Sequence, residues 1–214
     1  MRELPKLRWL ILGLLLGLPA PQLAAQGRSS IGVELGYTRA SFSGRNSGGV
    51  KLHEGAIAGG YFQVRLTPWL AVRPGVQFAS KGGATSALAS DSSGFLRLEL
   101  DLVYLDFPVL LRSRIPLVGR TRLILTGGGV PSIRIGCNVD LSRSGTPLAR
   151  SECGQANASF RSWDLEWLAG AGIGIPIENS ELALEARFTQ GTRSLSDQGD
   201  IKNRALTFMI SVPF

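Results

Sequence analysis

The sequence has little charge and no apolar run long enough to cross a membrane as a helix. Charged residues make up 18% of its 214 residues, against about 25% in ordinary soluble domains. The apolar run at residues 9–18 is about half the length that a transmembrane helix needs. Glycine, in contrast, is frequent at 27 residues, and glycine weakens helices. These features exclude a helical bundle and favour a chain of β-strands.

Acidic residues are also scarce, at 16 against 23 lysines and arginines, which gives a formal net charge of +7. A basic chain can indicate a nucleic-acid partner. Here the basic residues are spread singly, without a lysine or arginine run and without an aromatic RNA-binding motif. We therefore predict that nucleic acid is not a partner.

The first 25 residues have the three-part pattern of a secretory signal peptide. Arg2, Lys6 and Arg8 precede the apolar run, and two alanines follow it at positions 24 and 25. A run of this length suits export but not a membrane anchor. We expect cleavage after residue 25, which leaves residues 26–214 as a single exported domain.

Cysteine is rare, and Cys137 and Cys153 are the only two. In the oxidising compartment that export implies, an even pair at this spacing predicts a disulfide. Closing a loop of this size would contribute roughly 3 kcal/mol by the chain-entropy model. The sequence has no CxxC motif, and its only histidine, His53, is distant from both cysteines. We therefore predict no metal site and no cofactor.

Apolar and polar residues alternate with a period of two in eight segments, which predicts eight strands. In residues 96–111 the parity of the apolar row changes near residues 106–108, which predicts a β-bulge. The connections between the segments are alternately long and short. The segments are residues 31–37, 56–66, 70–78, 96–111, 122–135, 163–174, 182–189 and 206–214.

Alternating long and short connections are typical of an outer-membrane β-barrel, whose strands need about 9–11 residues to cross the bilayer. Because every backbone polar group must be paired inside a membrane, such a sheet has to close. We predict an all-β fold, an eight-stranded antiparallel transmembrane up-and-down β-barrel, in the outer membrane of a Gram-negative bacterium. The last strand carries the expected insertion signal for the barrel-assembly machinery, formed by Phe208, Ile210, Val212 and Phe214.

Three motifs, in this order, resemble the PorT-like outer-membrane β-barrel family. Residues 72–83 (VRPGVQFASKGG), 102–111 (LVYLDFPVLL) and 126–130 (TGGGV) are similar to its strand and loop motifs. Asp106 stands where the family usually has glutamate. The resemblance implies an eight-stranded barrel in the outer membrane. Some members assist protein secretion, but no residue of these motifs carries that role to this chain.

The charged residues on the polar rows of the strands are predicted to face the bore. An eight-stranded bore is only wide enough for side chains, and these charges are nearly balanced. We therefore predict a plug of mutual ion pairs, and no general porin activity. The predicted network consists of Glu34, Arg65, Arg73, Glu99, Asp101, Arg134, Glu166, Glu185 and Arg187.

The predicted function is non-catalytic: a monomeric barrel with a structural role, or one whose surface loops bind a partner. Outer-membrane lipid and lipopolysaccharide are the expected surroundings, and basic loop residues could contact lipopolysaccharide phosphates. One alternative is a lipid-modifying enzyme whose site at the barrel rim uses His53. Another is a secreted, soluble, lipocalin-like barrel with a ligand in its core. The charged inner rows oppose that alternative, because a ligand cavity of this type should be mostly apolar.

Overall fold

The computed structural model describes residues 29–43, 51–88, 95–144, 146–153, 161–177, 180–194 and 201–214. The predicted signal peptide lies outside these residues. The described residues form ten β-strands. The strands are β1 (Ser29–Ser43), β2 (Lys51–Arg65), β3 (Leu70–Leu88), β4 (Phe95–Asp106), β5 (Val109–Pro116), β6 (Arg122–Arg143), β7 (Thr146–Glu152), β8 (Trp163–Ile177), β9 (Ser180–Gly191) and β10 (Lys202–Pro213).

The strands pair antiparallel in the order β2, β1, β10, β9, β8, β6, β4, β3, and β3 pairs again with β2. This last pairing returns the sheet to its starting strand, so the wall has no open edge. Strands β4 and β5 each pair with β3 on one side and with β6 on the other. They are therefore two halves of one wall strand, and the wall has the eight antiparallel strands that the sequence predicts.

The interruption between β4 and β5 falls at Phe107 and Pro108, where the sequence predicts a bulge. Proline has no N–H group to donate to a ladder, so it interrupts strand pairing. The neighbouring strands still hold this segment: Phe107 N donates to Pro131 O at 2.8 Å, and Gly75 N donates to Pro108 O at 2.9 Å. The wall is thus continuous in hydrogen bonding although the strand is divided.

The two ends of the barrel differ in their connections. The short-turn end carries the turns at residues 66–69 and 117–121, together with the chain end, where Phe214 N donates to Ile31 O at 2.7 Å. At the opposite, long-loop end, β3 and β6 extend beyond the predicted strands, and β7 pairs with the extension of β6. The extension of β6 continues the apolar–polar alternation through Cys137, Val139 and Leu141, whereas the extension of β3 is rich in small residues.

The outer face of the wall is apolar and the inner face is polar. Along β1, for example, Ile31, Val33, Leu35 and Tyr37 are exposed, whereas Glu34 and Thr38 are buried. A continuous exposed apolar belt of this kind faces lipid in a membrane barrel. The pattern contradicts the soluble lipocalin-like alternative, which would need its apolar rows inside. Among the residues described, no helix is long and apolar enough to span a membrane.

Candidate functional site

A charged cluster fills the bore towards the short-turn end, and we call it the lower cluster. Arg73 on β3 donates to Glu34 on β1 at 2.5 Å, and both side chains are 1% exposed. Arg187 on β9 also contacts Glu34 at 3.1 Å and contacts Glu185 at 3.3 Å. Gln77 donates a further hydrogen bond to Glu34. Two carboxylates and two guanidinium groups from three strands therefore meet in the centre of the bore.

Arg112 and Glu181 extend the lower cluster towards the turns. Arg112 Nη2 lies 3.2 Å from Glu185 Oε1 and 3.9 Å from Glu181 Oε1. Arg122, at the edge of the bore, contacts Glu181 at 2.9 Å. Glutamates and arginines alternate along this chain of contacts, so each buried charge has an opposite charge beside it, as a dry interior requires.

Glycines of β8 make room for the lower cluster. A Cβ atom on Gly170 would lie 2.9 Å from Cγ of Arg187, and one on Gly172 would lie 2.8 Å from Cγ of Glu185. The long side chains of β9 therefore cross the bore over a strip of β8 that has no side chains. The glycine-rich segment at residues 170–174 is a packing feature of the wall.

A second cluster, which we call the upper cluster, surrounds Lys81 nearer the long-loop end. Lys81 Nζ lies 2.9 Å from Asp106 Oδ2 and 2.9 Å from both carboxylate oxygens of Glu166. Asn203 donates to Asp164 at 3.1 Å beside this group. All of these side chains are buried. One ammonium group is thus shared by two carboxylates from β4 and β8, the two wall strands that flank β6.

The bore is closely packed around the two clusters. A cavity between Arg187 and Lys81 measures about 20 Å³, which is roughly the room that a single water molecule needs. Beside Lys81, Leu102 and Tyr104 of β4 are fully buried and pack against apolar residues of their own strand and of three further segments. These apolar residues are Phe42, Leu100, Cys137 and Ile201.

The structure brings together five of the nine residues predicted for the interior network. Glu34, Arg73, Glu185 and Arg187 lie in the lower cluster, and Glu166 lies in the upper cluster. Arg134 is half-buried opposite Tyr104 in the ladder between β6 and β4.

Three of the predicted network residues lie elsewhere. Arg65 is the last residue of β2 and is exposed where the bore opens. Glu99 and Asp101 alternate with Leu100 and Leu102, which face the bore, so the two acids lie on the opposite face of β4. The prediction for these acids was wrong because it assumed that every apolar row faces lipid, whereas an apolar plug closes the upper bore.

Sequence reasoning missed Lys81, Asp106, Arg112 and Glu181 as interior residues. Lys81 shares the parity of Arg73 and Gln77 along β3, and this alternation was the available signal. Arg112 similarly alternates with Leu111, which is exposed on the outer face. In both cases extending the strand by a few residues would have placed the charge inside.

The predicted disulfide is confirmed. It joins Cys137 on β6 to Cys153, directly after β7, with 5.5 Å between the Cα atoms. Cys153 N also donates to Cys137 O at 3.2 Å. We call β7 and the part of β6 from Cys137 to Arg143 the stapled hairpin. The disulfide closes the base of this hairpin, and the β6 half of the hairpin stays paired with β4 from Leu102 to Leu96.

The residues of the expected insertion signal lie on the last strand with their apolar side chains towards the outside. Phe208, Ile210 and Phe214 are exposed, and Val212 is half-buried. Recognition by the assembly machinery stays a prediction.

A third polar cluster, the rim cluster, lies at the long-loop end around His53. His53 Nδ1 lies 3.0 Å from Glu99 Oε1, and His53 Nε2 lies 3.3 Å from Ser80 Oγ. Ser80 Oγ also lies 3.1 Å from Asp101 Oδ1. Ser41 and Ser43, at the end of the neighbouring strand β1, are not partners of His53 in these contacts. In the part of the chain that the structure describes, no group of three or more His, Cys, Asp or Glu side chains could hold a metal ion.

A closed antiparallel wall with an apolar outer face and a charged inner face defines an outer-membrane β-barrel. The family model of the outer membrane protein beta-barrel domain matches residues 22–197. The chain belongs to this family, and its location is the outer membrane of a Gram-negative bacterium.

Solved structures with a similar fold have low sequence identity to this chain. Neisserial surface protein A is 11% identical, with a TM-score of 0.48, and the match covers 87% of this chain and 99% of that one. Ail, the attachment invasion locus protein of Yersinia pestis, is 13% identical with a TM-score of 0.42 and the same coverage of the two chains. The N-terminal barrel of OprF from Pseudomonas aeruginosa is 13% identical with a TM-score of 0.32, covering 84% and 96%. No curated protein sequence matches the chain.

Proposed function

We propose that this protein is a monomeric, non-conducting outer-membrane barrel that displays a rigid β-hairpin beyond the long-loop end. The observation that carries the proposal is the lower cluster, whose ion pairs cross the bore between β1, β3, β5 and β9. The motifs at residues 72–83 and 102–111 support the finer assignment to the PorT-like members of the family.

The packing of the bore supports the absence of a pore. An ion moving through the barrel would have to separate Arg73 from Glu34, which contact each other at 2.5 Å. It would then have to displace Lys81 from two carboxylates and pass the apolar plug around Leu102. Removing one partner from a buried pair costs about 3–5 kcal/mol, so each of these steps opposes conduction.

The stapled hairpin supports a role in presenting a surface. All the described residues of β7 except Ser151 are exposed, and the disulfide fixes the hairpin to the wall. The bore and the hairpin are non-catalytic in this proposal, because their acids and bases are held in mutual ion pairs.

The edge of the apolar outer face supports contact with lipopolysaccharide. At the long-loop end, the guanidinium of Arg193 lies 4.1 Å from the centre of the Trp163 ring, and that of Arg204 lies 5.3 Å from the Phe188 ring. Both arginines are exposed. Guanidinium groups held at this height by cation–π contacts are placed to bind phosphate groups of the outer leaflet.

The proposal is tested by recording ion currents through the refolded protein in planar lipid bilayers. We expect no conductance steps from the wild-type barrel. Steps that change size in an Arg73→Lys variant, and not in the matched Arg65→Lys variant at the exposed strand end, would overturn it. A boiled-versus-unboiled gel shift shows that each sample is a closed barrel before it is recorded.

A further inference from the structure

The rim cluster lies on the outer side of the wall, directly above the lipid-facing row. Lys81 and Leu102 face the bore, so their chain neighbours Ser80 and Asp101 face the opposite side, because successive strand residues alternate. Phe78 is two residues before Ser80 on the same face of β3, and it is 57% exposed. A lipid lying against this row would have the rim cluster at its upper end.

A bulge in β2 aims His53 at this cluster. The register between β2 and β3 shifts between Leu52 and Ile57, where five steps along β2 match four steps along β3. The extra residue reverses the parity of β2 relative to β3 but not relative to β1, so His53 is opposite Ala40 of the bore-facing row on one side and beside Gly82 on the other. A Cβ atom on Gly82 would lie 3.4 Å from His53 Cδ2, which agrees with this placement. Bulges that redirect a side chain in this way are frequent beside active sites.

The hydrogen bonds of the rim cluster connect three groups in a fixed order. Glu99 accepts from the Nδ1 side of His53 at 3.0 Å, and Ser80 Oγ lies 3.3 Å from Nε2 on the other side of the ring. A serine, an imidazole and a carboxylate in this order form the arrangement that activates a hydroxyl nucleophile. We propose that Ser80, His53 and Glu99 are a hydrolytic site for carboxylic esters of lipids in the outer leaflet.

Each of the three groups has one chemical role. Ser80 Oγ attacks the ester carbonyl carbon and its proton passes to His53 Nε2. The tetrahedral intermediate then expels the alcohol, which takes that proton, and leaves an acyl group on Ser80. Water attacks the acyl carbon, gives one proton to His53, and releases the carboxylic acid as the proton returns to Ser80. The sum is ester plus water giving acid plus alcohol, with His53 as general acid and base.

Glu99 is a positioning residue in this site, because it acts through the histidine. By accepting the Nδ1 proton it leaves Nε2 free to accept from Ser80, and it stabilises the imidazolium that forms. Arg97 contacts the other carboxylate oxygen of Glu99 at 3.2 Å and fixes its orientation. Ser80 Oγ donates to Asp101 Oδ1 at 3.1 Å, so its single proton has to turn from Asp101 to His53 Nε2, which lies 3.3 Å away, before Ser80 attacks.

The position of the rim cluster relative to the bilayer indicates which class of ester it can reach. The side chains of Glu99 and Asp101 are 31% and 26% exposed whereas that of His53 is 9% exposed, so the cluster is reached from the side of its two carboxylates. Long loops of outer-membrane barrels face the cell exterior, which places Ser80 at the outer boundary of the bilayer. Ester bonds of phospholipids and of lipopolysaccharide acyl chains lie at this depth, with apolar chains along the row of Phe78.

The first test is covalent labelling of the refolded protein with a fluorophosphonate probe, followed by identification of the labelled peptide. We expect the label on Ser80, and its loss in Ser80→Ala and in His53→Ala. Ser43→Ala is the matched control, since Ser43 lies at the same end but bonds to Gln190. Every variant is first shown to be a closed barrel by its gel shift. An unlabelled wild-type barrel, or equal labelling of the Ser80→Ala variant, would overturn the proposal.

The second test asks whether Glu99 positions His53 for catalysis or only stabilises the fold. With p-nitrophenyl laurate in detergent micelles, we expect His53→Ala to lower kcat at least about 100-fold. We expect Glu99→Gln to lower kcat with KM unchanged, and Glu99→Asp to restore part of the rate. A wild-type kcat in the Glu99→Gln variant would show that Glu99 has no part in the hydrolytic site.

The third test identifies the source of the ester. Mixed micelles that contain either phosphatidylethanolamine or lipopolysaccharide are incubated with wild-type protein and with Ser80→Ala, and released fatty acid is measured. If fatty acid is released from only one of the two lipids, and only when Ser80 is present, that lipid is the substrate. Labelling of Ser80 without release from either lipid would overturn the assignment to lipid esters. The conductance experiment depends on the bore alone, so the two proposals can fail independently.

Discussion

The lower cluster and the rim cluster contain the same kinds of side chain but occupy different environments. In the lower cluster, Glu34 and Arg73 are almost fully buried and each contacts an opposite charge. In the rim cluster, Glu99 is 31% exposed and contacts both a histidine and the partly exposed Arg97. The comparison shows that burial decides the role of a charged group in this wall. Inside the bore the carboxylate of Glu34 is held by buried arginines, whereas at the rim the carboxylate of Glu99 also contacts a histidine and can direct a proton.

Breaking the lower cluster should have the largest effect. Arg73→Ala leaves Glu34 with fewer partners and Glu185 without the guanidinium 3.6 Å away. We expect the free energy of unfolding to fall by about 3–5 kcal/mol. Urea unfolding in phospholipid vesicles, followed by tryptophan fluorescence, measures this change. Arg65→Ala at the exposed strand end should change it by less than about 0.5 kcal/mol. Equal losses in the two variants would show that burial is not the deciding factor.

A charge on the outer face tests which side of the wall meets lipid. Leu35 on β1 is 61% exposed, and Leu35→Arg should destabilise the barrel by about 2–4 kcal/mol in vesicles, because the charge enters the hydrocarbon. Leu148 on β7 is similarly exposed but lies on the stapled hairpin, so Leu148→Arg should be nearly neutral. The same unfolding measurement compares them. A neutral Leu35→Arg variant would contradict the assignment of the outer face.

Removing the disulfide should weaken the stapled hairpin but not the bore. The double variant Cys137→Ser, Cys153→Ser loses a constraint worth about 3 kcal/mol at most by the chain-entropy model. We expect faster proteolytic cleavage within the hairpin and an unchanged gel shift of the barrel. Reduced wild-type protein should behave in the same way. Loss of the gel shift would mean that the wall itself depends on the disulfide.

The smallest effect should come from the rim. Glu99→Gln removes a charge that is partly in water, and exposed ion pairs contribute only about 0–1 kcal/mol. We expect an unfolding free energy within about 1 kcal/mol of wild type, measured as for Arg73→Ala. If the free energy of unfolding fell as much as in Arg73→Ala, Glu99 would have to lie in the dry bore, as the sequence alone predicts.

The wall could be predicted from the sequence because a membrane enforces strict alternation. Residues 31–37 alternate without exception and residues 163–174 alternate except at the buried Leu168, and both lie in wall strands with the predicted faces. The interruption at Pro108 was predictable for the same reason, since the parity of the apolar row changes there. The disulfide required only export and an even number of cysteines.

The rim cluster could not be predicted because its geometry depends on register. His53 reaches Ser80 and Glu99 only because β2 carries one extra residue opposite β3, and a sequence does not show where a bulge falls. The prediction for the upper bore was wrong for a related reason. Leu100 and Leu102 alternate with polar residues as a lipid-facing row does, but their side chains pack inside the bore.

Strand β6 belongs to the wall and to the stapled hairpin at the same time. Its 22 residues span roughly 70 Å at about 3.3 Å each, far more than the apolar band of about 25 Å in such barrels. The hairpin is therefore a continuation of the sheet, and its β6 half stays paired with β4 as far as Arg143. A molecule that docks on β7 meets a surface already ordered by the membrane-embedded part. Little conformational entropy is lost on contact, so even a small area of β7 can support useful affinity.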